Sequence, residues 1–113
     1  MHNYKMTVNS MGEVIATRRL FLADEPNREI LVQMGKPEKT PGRDDYSCSL
    51  QVTGLGNERI YRIFGVDAFQ AIELGFGFVG ERLELLNQEA GGRLRWECDD
   101  KGGFGFPKLL EKS

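Results

Sequence analysis

The side chains that most often carry out catalysis or bind transition metals are scarce in this sequence. It has one histidine, His2, and two cysteines, Cys48 and Cys98. Their unrelated spacings do not form a zinc site. Ser47 and Ser49 flank Cys48, but a serine or cysteine nucleophile needs a base, and no candidate histidine is present. We therefore predict no catalytic residue, no metal and no cofactor, and we expect a protein that is not an enzyme.

A glycine motif resembles a dinucleotide-binding fingerprint. Gly75, Gly77 and Gly80 match G-x-G-x-x-G, and Asp99-Asp100 follow about twenty residues later. In such a site the first glycine ends a strand and the pyrophosphate lies at the N-terminus of the next helix. Here the glycines fall inside a predicted helix, so we interpret the match as accidental and expect no nucleotide.

The same glycines still need a structural reason. Three glycines inside one helix cost on the order of 2–3 kcal/mol relative to alanine. Either another segment packs very close to this helix, or the helix bends. A projection at about 100° per residue places Gly80 near the core face, Gly77 on the polar side and Gly75 at the margin. Close approach of the sheet would explain why a glycine occurs at position 80, but it does not explain the glycine at position 77.

The charged residues indicate ordinary surface roles. The acidic pairs Asp44-Asp45 and Asp99-Asp100 supply no ordered set of oxygens for a hard cation, so we interpret them as solvated loop charges. The net charge of −2 removes the usual reason to expect nucleic acid or a membrane as a partner. The arginines in strands are expected to pair across strands with acidic neighbours such as Glu29, Glu58 and Glu97; they are Arg18, Arg19, Arg59, Arg62, Arg93 and Arg95.

Residues of alternating polarity predict an antiparallel sheet. Stretches rich in β-branched, aromatic and alternating apolar residues, separated by turns such as the one at 23–27 and the loop at 37–45, are typical of strands in hairpins. The predicted strands are 13–22, 28–36, 46–52, 59–66 and a return strand at 93–98. Cys48 and Cys98 fall on the apolar side of this pattern, so we expect two buried thiols and no disulfide.

The apolar period changes from two to 3.6 after Val66, which predicts one long helix over 67–89. Asp67 is placed as the N-cap with Gln70 three residues later, and Gly91-Gly92 mark the end. Trp96 and Cys98 are expected to pack against the apolar face of the helix. That face is predicted to consist of Phe69, Ile72, Phe76, Val79, Leu83 and Leu86.

Length and order of elements then indicate the fold class. A chain of 113 residues has room for one domain. We predict an α+β fold: an antiparallel meander of four to five strands with one long helix across one face. The first eleven residues lack the apolar stretch of a signal peptide, and no run of eighteen apolar residues occurs. We expect a soluble, cytoplasmic protein with a flexible tail at 1–11 and a single domain at 12–113.

The second half of the chain resembles an uncharacterised bacterial domain family. In that family a strand runs into a G-x-D-x-x-Q-A helix start, followed by a long apolar helix, a Leu-x-Trp strand and a terminal Gly-Phe-Pro. The matching positions are Gly65, Asp67, Gln70, Ala71, Leu94, Trp96, Gly105, Phe106 and Pro107. The family has no assigned activity, and it looks like the small α+β proteins found among bacterial toxin-immunity partners. The glycines at 75, 77 and 80 depart from the pattern.

A second apolar face on the helix suggests where function lies. Leu74, Phe78 and Leu85 project away from the core face, and a helix that is apolar on two sides must bury both. The cover is either the protein's own C-terminal tail or a second chain. The apolar residues of that tail are Phe104, Phe106, Leu109 and Leu110. We expect a non-enzymatic interaction domain, of immunity type or a homodimer, with Leu74, Phe78, Leu85, Phe104 and Phe106 as its interface. The alternative is a small-ligand-binding protein or an enzyme that uses loop carboxylates and arginines.

Overall fold

The chain forms one antiparallel sheet with one long helix packed on it, in a computed structural model that describes residues 5–8, 10–99 and 101–107. The predicted α+β class is confirmed. In chain order, the elements of the described residues are β1 (Lys5–Val8), β2 (Val14–Leu22), β3 (Glu25–Gly35), β4 (Glu38–Lys39), β5 (Tyr46–Thr53), β6 (Ile60–Gly65), α1 (Ala68–Glu89) and β7 (Leu94–Arg95).

The sheet is built around the predicted meander. Its strand order is β1-β6-β5-β3-β2-β7, and the short β4 pairs with the start of β5. Val32 lies opposite Val52 and Met34 opposite Leu50, so the apolar residues of β3 and β5 share one face. This face packs against α1 and holds the core.

The first hairpin is tighter than the sequence predicts. Its turn is Ala23-Asp24 instead of 23–27, and β3 already begins at Glu25. The polar, proline-containing start of β3 lies in a bulge, because regular pairing stops between the pairs Leu20–Ile30 and Leu22–Glu25. Proline is tolerated at such a bulge, since no ladder hydrogen bond is needed there. The predicted loop at 37–45 likewise contains β4.

The predicted N-terminal tail differs most from the structure. Lys5–Val8 form β1, which pairs with β6. The chain then crosses the face of the sheet opposite α1 to reach β2. On this path the Ser49 hydroxyl donates to the Met11 carbonyl over 2.6 Å, and the Lys36 amide donates to the Glu13 carbonyl over 2.7 Å. Residues 1–4 and 9 of the predicted tail lie outside the described residues.

The helix begins and ends where the sequence predicts. The Asp67 carboxylate accepts from the Gln70 amide over 2.8 Å, and the Gln70 side chain accepts from the Val66 amide over 2.8 Å. After Ala90 the chain leaves the helix at Gly91, which has a φ of 70°. The capping residues therefore fix both ends.

The face that α1 turns to the sheet differs from the prediction. Phe69 is 85% exposed instead of buried, and Ile72 and Phe76 are only partly buried. The buried residues of α1 are Ala71, Gly75, Gly77, Val79, Leu83 and Leu86. Small residues at the contact let the helix backbone come closest to the sheet, and this turns the larger Phe69 to solvent.

Two glycines make this close approach possible. A Cβ on Gly65, the last residue of β6, would lie 2.5 Å from the backbone nitrogen of Ala71. A Cβ on Gly75 would lie 3.1 Å from the Cys48 sulfur and 3.3 Å from side-chain atoms of both Leu50 and Met34. Gly75 therefore makes the sheet contact that the sequence analysis assigned to Gly80, and Gly77 is buried instead of polar-facing.

We predict that Gly75→Val destabilises the fold by about 1–3 kcal/mol, because the branched side chain overpacks the contact with Cys48 and Leu50. Valine has a slightly higher helix propensity than glycine, so a loss must come from packing.

The control is Gly80→Ala, whose Cβ would make only ordinary contacts with Phe106 and Pro107 at 3.4 Å and beyond. This variant should gain up to about 1 kcal/mol from helix propensity. Urea unfolding monitored by circular dichroism measures both, and equal stability of Gly75→Val and the parent would contradict the packing argument.

Candidate functional site

The helix covers only part of its sheet face. It packs on β5 and β6, so the side chains of β2 on that face need a different cover. Residues 96–99 and 101–107, referred to below as the C-terminal segment, provide it. Phe104 is buried in the core, and Trp96 and Phe106 are half-buried against it. The second layer of the fold is therefore a helix beside an irregular segment.

A cavity of about 280 Å³ lies where these two covers meet. Its walls come from β2, β3, β5, α1 and the C-terminal segment, and they are mostly apolar. The lining residues are Ala16, Thr17, Arg18, Val32, Gln33, Met34, Leu50, Phe76, Val79, Gly105, Phe106 and Pro107. A concave, largely apolar space with few polar groups is typical of a ligand site. We refer to it below as the Arg18 cavity.

Among the described residues that line this cavity, Arg18 supplies the one charged group. It lies opposite Val32 in the β2–β3 ladder, so its side chain emerges on the apolar face. The guanidinium carbon lies 4.0 Å from the centre of the Trp96 ring and 4.7 Å from that of Phe106. Nη1 donates a hydrogen bond to the Phe104 carbonyl over 2.9 Å. The aromatic rings and this bond hold the guanidinium in place.

Arg18 has no carboxylate partner within the part of the chain that the structure describes. Other arginines do: Arg93 pairs with Asp24 over 2.8 Å and Arg43 with Asp45 over 2.6 Å. A guanidinium remains charged at any ordinary pH and carries five N–H groups. The hydrogen bond to Phe104 uses one of them. The remaining N–H groups can bind a planar anion such as a carboxylate through two parallel hydrogen bonds.

A second, wider cavity of about 510 Å³ separates the C-terminal half of α1 from the glycine-rich part of the C-terminal segment. Its lining is more polar and includes Glu84, Asn87 and Asp99. The Asn87 side chain accepts from the Leu94 amide, and Asp99 accepts from the Lys101 amide, both over 2.8 Å. The side chains of Asn87 and Asp99 thus stabilise the local backbone, so the more apolar Arg18 cavity is the stronger candidate site.

The structure separates the residues of the predicted interface. Phe104 is buried and Phe106 lines the Arg18 cavity, with its ring 6.2 Å from that of Phe76. Phe78 instead packs toward β6, where its ring lies 4.9 Å from that of Tyr61. Leu74 also packs against the core, and Leu85 is 46% exposed. The C-terminal segment thus covers one flank of the helix and β6 lies beside the other. Leu109 and Leu110 lie outside the described residues. The interface predicted from Leu74, Phe78, Leu85, Phe104 and Phe106 stays a prediction.

Sequence reasoning missed Arg18 as a site residue. It expected pairing with Glu29, Glu58 or Glu97, whereas the arginine–carboxylate pairs of the described residues involve Asp24, Glu25 and Asp45. The sequence contained a signal, because the residues of β2 on the α1 face of the sheet are Ala16, Arg18, Leu20 and Leu22. One charge in an otherwise apolar row marks a group that needs a special environment.

The return strand is also shorter than predicted. β7 has two residues, and the Asp99 amide then donates to the Trp96 carbonyl over 3.0 Å as the chain turns. Trp96 therefore stacks on Arg18 instead of packing on the helix face, and Cys98 is exposed. The prediction that Cys98 is buried is wrong. Both cysteines are free, as predicted, and Cys48 is buried.

Of the two acidic pairs, the structure describes Asp44, Asp45 and Asp99. Asp44 lies 3.9 Å from the Lys39 amine, and Asp45 pairs with Arg43. Among the described residues, no group of three or more His, Cys, Asp or Glu side chains could hold a metal ion. Asp100 is not among those residues.

The Cys48 thiol is fixed beneath the helix and donates a hydrogen bond to the Ala71 carbonyl over 3.2 Å. Burial raises the pKa of this thiol from 9.0 to about 11, and the nearby charge of Arg62 lowers it in part. The neutral thiol is therefore the form that the fold keeps, and it is a poor nucleophile.

We predict that the stability of the protein falls as the pH rises from about 9 to about 11. The unfolded thiol loses its proton first, so the contribution of Cys48 is fully present below pH 9 and is lost toward the folded-state pKa. The loss should reach on the order of 2 kcal/mol.

Urea unfolding across this pH range measures the effect. Cys48→Ala is the control, since its stability should depend less on pH than that of the parent. Identical pH dependence in the two proteins would contradict the raised pKa.

Comparison with known proteins gives a family for this fold and site. A family model described as a domain of unknown function, DUF6968, matches residues 16–108. The matched range includes all the residues that line the Arg18 cavity and leaves out β1 and the segment that crosses the sheet. No curated protein and no solved structure matches. Because the family model covers far more than half of the 113 residues, the chain belongs to the DUF6968 family.

Proposed function

We propose that this protein is a non-enzymatic binding domain and that the Arg18 cavity is its recognition site. The ligand carries an apolar group that enters the cavity and a carboxylate that pairs with Arg18. The observation that carries the proposal is the guanidinium of Arg18, which stacks on two aromatic rings beside an apolar cavity and has no carboxylate partner among the described residues.

The energetics support a ligand with both features. An apolar group gains about 25 cal/mol for each Å² removed from water, and the cavity walls are mostly apolar. An ion pair beside such walls is screened less than one in open water. Because Trp96, Phe106 and the Phe104 carbonyl already hold the guanidinium, little side-chain entropy is lost when the anion binds.

The composition of the lining favours binding over catalysis. Its polar members are Thr17, Arg18 and Gln33, and it includes no Asp, Glu, His, Cys, Ser, Lys or Tyr from the described residues. A general base or an activated nucleophile needs one of those groups within hydrogen-bond reach. Arginine alone orients and neutralises an anion, which is the task of a binding site.

The test uses 4-phenylbutyrate and octanoate as probes, with 4-phenylbutyramide and octanamide as uncharged controls. Trp96 is the single tryptophan and lies in the site, so its fluorescence reports binding. We expect the carboxylates to change the fluorescence saturably and to bind at least about tenfold more tightly than the amides, because the ion pair contributes more than a neutral hydrogen bond.

The matched variants are Arg18→Gln and Arg19→Gln. Arg19 is the next residue of β2, carries the same charge and is exposed on the other face of the sheet. Arg18→Gln should remove the preference for carboxylates, and Arg19→Gln should keep it. Equal binding of acids and amides by the parent, or no binding of either, would overturn the proposal.

A second candidate function is association through the start of α1, as a homodimer or with a protein partner of immunity type. It is favoured by the exposure of two large apolar side chains, Phe69 at 85% and Val66 at 73%. Exposed apolar groups at one place on a surface are common in interfaces. The resemblance to toxin-immunity partners supports the same direction.

For the homodimer we predict that Phe69→Ser lowers the self-association constant by about tenfold or more, since burial of an aromatic side chain dominates such contacts. Sedimentation equilibrium measures it, with Ile15→Ser as the control, because Ile15 is 50% exposed and belongs to β2, which lies outside the part of the sheet that α1 covers. A parent that remains monomeric at millimolar concentration would exclude the homodimer.

A further inference from the structure

The edge of the sheet beside the Arg18 cavity is open. β2 pairs with β3 along one side, and on its other side β7 reaches only Phe21 and Leu22. Over Val14–Leu20 the outer side of β2 therefore has no strand partner within the described residues. Val14 is 38% exposed and Ile15 is 50% exposed. A free strand edge presents unpaired N–H and C=O groups that can pair with another extended chain.

The open edge and the cavity adjoin each other. Ala16, Thr17 and Arg18 belong to the edge and also line the cavity. The two pairing irregularities of β2 lie between Val14 and Ala16 and between Leu20 and Leu22, so the ladder is regular over Ala16–Leu20. A strand added there would place every second side chain on the α1 face of the sheet, beside Ala16 and Arg18, which line the cavity.

From this juxtaposition we infer that the ligand of the Arg18 cavity is an extended acidic polypeptide segment of another protein, which adds to the sheet along Ala16–Arg19. The inference rests on the proposed function and identifies its ligand. Two side chains of the segment, at positions i and i+2, lie on the α1 face. One is a large apolar side chain that enters the cavity, and the other is an Asp or Glu that pairs with Arg18.

The charges of β2 favour an acidic segment over a second copy of β2 as the strand added at this edge. Its sequence, VIATRRLFL, contains two arginines and no acidic residue. Arg18 projects on the α1 face and Arg19 on the other, so an added strand meets positive charge on both faces. A second copy of β2 would bring its own two arginines to this edge, and like charges across strands are unfavourable. An acidic segment is complementary where a second copy is not.

The geometry also explains why a polypeptide segment should bind more tightly than a small carboxylate. Main-chain hydrogen bonds along the edge supply affinity that does not depend on sequence, while the cavity and Arg18 select the side chains. Strand addition and pocket recognition thus act together on one ligand.

The experiment begins with selection of seven-residue random peptides, displayed in a library, on the full-length protein. We expect the selected peptides to share a large apolar residue two positions from an Asp or Glu. Synthetic copies titrated against Trp96 fluorescence should bind the parent, lose about tenfold or more in affinity with Arg18→Gln, and lose less with Arg19→Gln.

Backbone N-methylation of the selected peptide tests strand addition directly. Methylation of the amides that face β2 should abolish binding, whereas methylation of the alternate amides should leave most of it, because only every second amide faces the neighbouring strand. Amide resonances of Ala16–Arg19 should shift on binding and gain protection from hydrogen exchange.

The outcomes separate this inference from the proposed function. If peptides bind in an Arg18-dependent manner but N-methylation at either set of amides has the same small effect, strand addition is wrong and the recognition site stands. If no peptide is selected while 4-phenylbutyrate binds, the polypeptide ligand is wrong and the site again stands. If selected peptides bind equally to Arg18→Gln, both proposals fail.

Discussion

The backbone of α1 lies directly on the sheet at Gly65 and Gly75, and the other packing follows from this close approach. Neither position has room for a side chain without displacing a neighbour. The Cys48 thiol, between them, donates to the Ala71 carbonyl of the helix. Because backbone and sheet are this close, the helix can turn only small residues to the contact, and its aromatic residues must lie at the flanks. Phe76 and Phe78 occupy those flanks, and Phe69 is left in solvent.

The incomplete cover of the sheet follows from the same geometry. A helix centred over β5 and β6 does not reach β2, so the chain returns after β7 and places Phe104 and Phe106 over the uncovered side chains. The helix and this segment do not fill the space between them, and a cavity remains at the junction. Arg18 lies at this junction, where a charge is costly without partners. Stacking on Trp96 and Phe106 and one hydrogen bond offset part of this cost. The remaining N–H groups of the Arg18 guanidinium are the ones that can bind a carboxylate.

Features that depend on local sequence could be predicted, and those that depend on distant contacts could not. The alternation of β3 and β5 and the Asp67 cap lie within a few neighbouring residues, so the meander and the start of α1 follow from the sequence. The rotation of α1 depends on which residues can approach Cys48 and Leu50, and hydrophobic periodicity alone favoured Phe69 over Gly75. The turn after Arg95 exposes Cys98 although its position in the alternating pattern suggests burial. Arg18 could be noticed as a charge in an apolar row, but its aromatic neighbours come from a segment about eighty residues later in the chain.

The pairing of β1 with β6 affects the order in which the molecule can form. Lys5 lies opposite Ile63, so the first strand finds its place only after more than half of the chain has been synthesised and β6 has joined the sheet. Contacts between residues so far apart in sequence require closure of a long loop and slow the folding of β-rich domains. The hairpin of β2 and β3, by contrast, closes over a two-residue turn and can form early. Formation of the β2–β3 hairpin can therefore precede the pairing of β1, which needs β6 as its partner.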